Sequence, residues 1–120
     1  MNVYATRESV CAGDDIYAPH PRTFAVPDGA SIEASLALIL SSGYLPTISG
    51  GRATWSVASG IPIAIIAQQW AAPRMLFLPS DDLLSLDCTT GVLRLRFNYH
   101  AQSDPEIIWD VLSRLQLRAV

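Results

Sequence analysis

The sequence predicts an α+β domain, in which a mostly antiparallel sheet of five or six strands carries two main helices packed on one face. Three observations support this class. Two segments have the apolar periodicity of helices, several shorter segments have the patterns of strands, and the two helical segments are separated by a run of strands. The chain has 120 residues, which predicts one domain over residues 1–120 because domains usually hold about 100–200 residues.

The N-terminal part predicts two strands around a polar loop. Residues 2–7 (NVYATR) alternate apolar with larger polar or aromatic side chains, and residues 22–26 (RTFAV) resume an extended pattern before the turn PDG. Residues 10–20 (VCAGDDIYAPH) lie between them and contain a glycine and a proline, which interrupt regular structure.

The first helix is predicted within residues 30–43 (ASIEASLALILSSG). Ser31 is a suitable N-cap because its hydroxyl can accept from unpaired amides of the first turn, and Gly43 supplies a left-handed stop. Glu33 lies near the positive end of the helix dipole. One apolar stripe follows the spacing i, i+4, i+7 and i+8, formed by Ile32, Leu36, Ile39 and Leu40.

The middle of the chain predicts three further strands in a meander: residues 52–59 (RATWSVAS), 61–70 (IPIAIIAQQW) and 74–79 (RMLFLP). The second is apolar on both faces from Ile61 to Ala67, which is typical of a central strand covered on both sides. Residues 80–87 (SDDLLSLD) predict one helical turn.

The C-terminal part predicts a half-buried strand and a helix. Residues 91–100 (GVLRLRFNYH) alternate, so that leucines and aromatic rings share one face while Arg94, Arg96, Asn98 and His100 share the other. Residues 103–120 (SDPEIIWDVLSRLQLRAV) begin with Asp104 or Ser103 as cap and Pro105 at the first helical position. Its buried stripe is predicted to contain Ile108, Val111, Leu112 and Leu115.

Composition limits the classes of partner. Half of the residues are apolar and 16% are charged, which argues against disorder. Eight arginines, no lysine and eleven carboxylates give a net charge of -3, so no nucleic-acid partner is expected. The first residues lack the pattern of a signal peptide, and IPIAIIA is far short of the about 20 residues that span a bilayer. A cytoplasmic protein without a membrane partner is expected, with Cys11 and Cys88 as reduced thiols.

The 10–20 loop collects the residue types of a chemical site. Cys11, Asp14, Asp15 and His20 include the ligand types of zinc, but structural zinc usually takes four ligands in paired Cys and His spacings. Cys11 and His20 could also form a nucleophile and base, which would need an aligning third group. A small hydrolase or transferase using these two residues, or a metal held by residues 11–20, is therefore the alternative function.

No part of the sequence supplies a nucleophile, base, orienting group and oxyanion donors together. We therefore expect a non-enzymatic binding protein, without catalytic residues, cofactor or bound metal. Loops on a rigid scaffold commonly carry binding. The partner-binding residues predicted here are Asp14, Asp15, Tyr17 and His20.

In its size, acidity and α+β pattern, and in the stretches VCAGDDIYAPH and SGYLPTISGGRATW, the chain resembles the small cytoplasmic immunity proteins of bacterial toxin systems, including those of contact-dependent growth inhibition. The resemblance implies a protein that binds and neutralises a partner toxin domain without turnover. These families share no universal motif, so the resemblance assigns no residue a role. Carboxylates on the loop would pair with arginines or lysines of a nuclease-type active site. The oligomeric state is left open.

Overall fold

One mixed sheet forms the middle of the protein. The computed structural model describes residues 1–76 and 86–118, with the side chains of residues 1–76, 86–88 and 90–114. Within these ranges the strands are β1 (Asn2–Arg7), β2 (Arg22–Ala25), β3 (Thr54–Ser59), β4 (Ile61–Ala67), β5 (Arg74–Met75), β6 (Cys88–Thr89) and β7 (Val92–Tyr99). The α-helices are α1 (Ile32–Ser41) and α2 (Pro105–Arg118), and a short 3-10 helix covers Ala12–Tyr17. No helix in the described ranges is long and apolar enough to cross a membrane.

The strands lie in the order β2-β1-β7-β3-β4-β5, and β6 also pairs with β7. Among the pairings of the described strands, only that of β1 with β7 is parallel, with Val3 opposite Leu93 and Ala5 opposite Leu95. The predicted α+β class with a mostly antiparallel sheet is confirmed. The N-terminal strand β1 and the C-terminal strand β7 are therefore neighbours inside the sheet.

The main core lies between α1 and one face of the sheet. Ile32, Leu36 and Ile39 of α1 are buried, as the predicted stripe requires, and belong to one cluster with the inward side chains of β1 and β7. Tyr44, just after α1, packs edge-on against two rings, with centroid distances of 5.5 Å to Phe24 and 5.7 Å to Phe97. These rings join β2, β7 and the segment after α1.

Helix α2 lies against the opposite face, at the β4–β5 side of the sheet. Ile65 of β4 is paired with Arg74, so the two side chains share this face. The Arg74 guanidinium lies 4.0 Å from the ring centroid of Trp70 and 5.3 Å from that of Trp109, and it donates to Glu106 at 2.9 Å. The helices thus lie on opposite faces, where the sequence predicted one face. The apolar β4 explains the difference, because its two buried faces both need cover.

The face of α2 that packs on the sheet is rotated relative to the predicted one. Val111, placed in the buried stripe, is 51% exposed, and Ile107 is 61% exposed. The side chain of Leu115 lies outside the described residues. The buried and half-buried apolar side chains keep the predicted spacing of i, i+3, i+4 and i+7 but begin three residues earlier, as Pro105, Ile108, Trp109 and Leu112. Trp109 joins this face, with its ring centroid 5.3 Å from the Arg74 guanidinium.

Most predicted boundaries agree with the structure within a few residues. The turn between β3 and β4 lies at Gly60, and Asp104 caps α2 by accepting from the Glu106 amide at 2.9 Å. The predicted strand at residues 74–79 is observed only as β5, and its last three residues lie outside the described ranges. The helical turn predicted for residues 80–87 lies mostly outside them as well.

The N-cap of α1 provides a test of the role predicted for Ser31. Ser31 Oγ accepts from the Ala34 amide at 3.0 Å. Replacing Ser31 by alanine is expected to lower the free energy of unfolding by about 1 kcal/mol, because one amide of the first turn loses its partner. Urea denaturation measures this change. Ser41→Ala, in the exposed last turn of the same helix, is the control; an equal loss there would contradict a capping effect.

Candidate functional site

The backbone of the 10–20 loop is tied to β1. Within it, the Asp14 amide donates to the Cys11 carbonyl at 3.0 Å and the Ala18 amide to the Asp15 carbonyl at 3.1 Å. At its end, the Arg7 amide donates to the Pro19 carbonyl at 2.9 Å. The Ala18–Pro19 peptide bond is cis. What the sequence indicated as a polar loop is therefore a compact 3-10 turn whose C-terminal end is held at the sheet.

An ion pair between Arg7 and Asp14 fixes the inner side of this loop. Arg7 follows Val3 and Ala5 on the inward face of β1, and it donates to the two Asp14 carboxylate oxygens at 2.7 and 3.2 Å. The Val10 amide donates to the same carboxylate at 3.0 Å. The hydrogen bond from Arg7, then that from Val10, lower the pKa of Asp14 to about 2 against desolvation, with the charges of Arg7 and His20 adding to the shift. Asp14 is thus a fixed anion inside the fold.

His20 completes the cluster from the other end of the loop. Its side chain is 8% exposed, and Nε2 lies 3.1 Å from Ser9 Oγ and 3.6 Å from the nearest Asp14 oxygen. Its carbonyl accepts from the Tyr44 hydroxyl at 2.5 Å. Burial raises the pKa of Tyr44 to about 12, so this phenol remains a donor. The imidazole and the carboxylate together hold the loop against the core.

This arrangement does not form a catalytic relay. In a Ser-His-Asp triad the nucleophile and the carboxylate engage different ring nitrogens, whereas Ser9 and Asp14 both face Nε2 of His20. Cys11 is exposed, and its thiol has no hydrogen bond to His20 among the described contacts. Within the described ranges, no three His, Cys, Asp or Glu residues are grouped to hold a metal ion. The pairing that the alternative function needs is therefore not formed.

The outer side of the loop presents three residues to solvent, which we call the loop tip: Asp15, Ile16 and Tyr17. Ile16 is 78% exposed and Tyr17 is 73% exposed, and the Asp15 carboxylate has no ion-pair partner among the described residues. The structure thus divides the four residues predicted to bind a partner. Asp15 and Tyr17 face outward, while Asp14 and His20 are held inward.

Two residues of the site were missed from sequence, for different reasons. Arg7 was recognisable, because Val3, Ala5 and Arg7 alternate onto the core face and an inward guanidinium needs a nearby carboxylate. Ile16 carried no such signal, since its direction depends on the turn of the 3-10 helix.

A shallow pocket of about 530 Å³ adjoins the loop tip. The loop contributes Asp15, Ala18 and Pro19 to its wall, Ser9 precedes the loop there, and the sheet contributes Thr6 and Arg96. Neighbouring Glu8 is held in place, because its carboxylate accepts from the Tyr99 amide at 2.8 Å. The loop tip and the pocket form one continuous surface with apolar, acidic and basic parts.

No protein-family model, curated protein or solved structure was found to match this chain. Inferences about function therefore depend on the geometry of the loop tip and its fixed base.

Proposed function

We propose that the protein is a non-enzymatic binding protein that neutralises a bacterial toxin domain, with the loop tip at the centre of the contact. The observation that carries this proposal is the exposure of Ile16 and Tyr17, 78% and 73%, on a loop whose base is fixed by the pair of Arg7 and Asp14. An isoleucine and a tyrosine held outward gain nothing from the fold itself. They gain burial when a partner covers them.

The fixed base favours binding in a second way. Ordering a mobile loop on association costs free energy, and a loop already held by side-chain and backbone hydrogen bonds avoids most of that cost. Tyrosine suits such a position because its ring is rigid, large and able to donate a hydrogen bond. Tyrosine is also enriched among the residues that contribute most to binding at interfaces.

The negative charge of the loop tip and of the whole chain favours a toxin partner with a basic surface. Asp15 stands beside the two apolar side chains, and the whole chain has a net charge of -3. A basic surface, such as the arginines and lysines that line a nuclease-type active site, would be attracted to this carboxylate and oriented by it. The immunity proteins that the sequence resembles act in this way, in the same cytoplasm as the toxin.

The test begins with partner capture. The full chain is immobilised and exposed to lysate of its native host, and the captured protein is identified, purified and expressed alone and together with the chain. We expect a domain that is toxic alone and harmless in co-expression. Asp15→Ala/Tyr17→Ala is expected to weaken binding by about tenfold or more in calorimetry, because it removes a charge and an aromatic contact of the proposed hot spot.

The matched control is Glu33→Ala/Leu38→Ala, which removes an exposed acid and an exposed hydrophobic residue from α1. This variant should keep the wild-type affinity. Full affinity of the loop-tip variant would contradict the assigned surface. A captured partner that is harmless when expressed alone would contradict toxin neutralisation.

A further inference from the structure

On one side of β7 the neighbouring strand changes from β6 to β3. Asp87 bridges this change, because its carbonyl accepts from the Arg94 amide at 2.9 Å and its amide donates to the Ser59 carbonyl at 3.1 Å. On its other side β7 pairs with β1 along its length. The pairing with β3 ends at Arg96 opposite Ala58, and that with β6 reaches Leu93 opposite Cys88. A cavity of about 410 Å³ lies at this junction.

Two arginines border the cavity. Arg94 and Arg96 alternate with Leu95 on β7, so their side chains leave the same face about 7 Å apart. Tyr4 lies opposite Arg94 and Thr6 opposite Arg96 on β1, and both also line the cavity. These cross-strand pairs place two arginines, a tyrosine and a threonine around one opening.

On the β3 side of the cavity, small residues leave its opening uncovered by side chains. Ala58 is the β3 neighbour of Arg96, and Gly60 follows where β3 turns into β4. Gly60 has a φ of 75°, and a Cβ added there would lie 3.8 Å from the backbone nitrogen of Asp87. A larger side chain at Ala58 would lie on the same face as Arg96, its partner across the strands, and one at Gly60 would extend toward Asp87.

Both guanidinium groups keep their donors available among the described residues. Arg94 lies with its guanidinium 5.5 Å from the Tyr4 ring centroid, and neither Arg94 nor Arg96 has a described carboxylate within ion-pair distance. Other arginines differ: Arg7 pairs with Asp14 and Arg74 with Glu106. Two adjacent arginines without a described carboxylate partner are notable in a chain of net charge -3.

We propose that this cavity binds a small organic anion of the carboxylate or phosphate-ester class through Arg94 and Arg96. Guanidinium groups match both oxyanions because their parallel N–H groups donate two hydrogen bonds at once. The volume lies within the range of about 300–1,000 Å³ usual for small-molecule sites. Asp87 also lines the cavity, so the end of the ligand away from the oxyanion is expected to be neutral or cationic. The site needs no toxin partner. Thr6 and Arg96 also line the pocket beside the loop tip, whereas Tyr4 and Arg94 line this cavity and not that pocket.

Three compounds distinguish a free phosphate, a phosphate ester and a carboxylate as the ligand: inorganic phosphate, phosphoethanolamine and β-alanine. Each is titrated into the ¹⁵N-labelled full chain at constant ionic strength, and amide shifts are followed by NMR. We expect saturable shifts at the amides of Arg94, Leu95 and Arg96 with phosphoethanolamine or β-alanine. Whichever of these two compounds binds more tightly should have a lower dissociation constant than inorganic phosphate. Absence of saturable shifts at these amides with all three probes would overturn the proposal.

Two sets of variants test the assignment. Arg94→Gln/Arg96→Gln is expected to lower the affinity for the tighter-binding probe by about tenfold or more, since both charge-assisted contacts are lost. Arg22→Gln/Arg52→Gln removes the same charge from two exposed positions outside the cavity and should leave the affinity unchanged. Arg96→Lys keeps the charge but loses the planar fork, and should give an intermediate value. Equal weakening in both double variants would show non-specific charge attraction and overturn the site.

Discussion

Replacing Phe97 by alanine is expected to lower the free energy of unfolding by about 4 kcal/mol, within the range for buried phenylalanines. Phe97 is fully buried on β7, and its ring packs edge-on against Tyr44 at 5.7 Å. It lies opposite Arg7 in the parallel pairing, and its carbonyl accepts from the Glu8 amide at 3.0 Å. A cavity here would therefore loosen both the core and the base of the loop.

Urea denaturation gives the stability change, and hydrogen exchange of the Asp14 amide gives the local effect. Phe97→Leu, which keeps much of the volume, should lose less than half as much stability. The Asp14 amide should exchange faster in Phe97→Ala even under conditions where the variant is fully folded. A loss below about 1 kcal/mol would be smaller than the cost of a buried aromatic cavity and would contradict this packing.

Replacing Asp14 by asparagine is expected to cost about 2 kcal/mol of stability, because hydrogen bonds to charged groups are stronger than neutral ones and Arg7 loses its counter-ion. The Arg7 side chain is 11% exposed, and its Nε has no partner among the described residues. The asparagine side chain would keep the shape of the carboxylate but not its charge. The neighbouring Asp15→Asn is the matched control, since Asp15 is exposed and its replacement should change stability by less than about 0.5 kcal/mol.

The same variant has a pH signature. The pKa of Asp14 lies at about 2 in the folded protein against an ordinary 3.8, so its stabilisation is complete above the ordinary value and is lost as the pH falls toward 2. The difference in unfolding free energy between the wild type and Asp14→Asn should therefore shrink over this interval. Other carboxylates titrate in both proteins and cancel in the difference. A constant difference down to pH 2 would contradict the ion pair as its source.

Local patterns predicted the elements of the fold well. The cap at Ser31, the alternation of β7 and the proline at the start of α2 depend on neighbouring residues, and each is observed. The division of the loop into an inner and an outer side was not predictable in the same way. Asp14 and Asp15 are adjacent and chemically identical, and only the position of Arg7 in the folded sheet separates their roles.

Two features of the architecture depend on distant parts of the chain. The parallel pairing of β1 with β7 has no short-range sequence signal, because each strand pattern is compatible with several neighbours. The position of α2 depends on the contact of Trp109 with Arg74, two residues that are far apart in the sequence. The exposed Val111 shows the same dependence, since a helix pattern alone does not say which way its covered face is turned.

The pairing of β1 with β7 also has a consequence during synthesis. Glu8 receives its hydrogen bond from Tyr99 and donates its amide to Phe97, so the root of the loop is complete only after Tyr99 has emerged from the ribosome. A nascent chain thus exposes Ile16 and Tyr17 without the scaffold that orients them until β7 has been synthesised. A message truncated before β7 would yield a product that lacks this anchor.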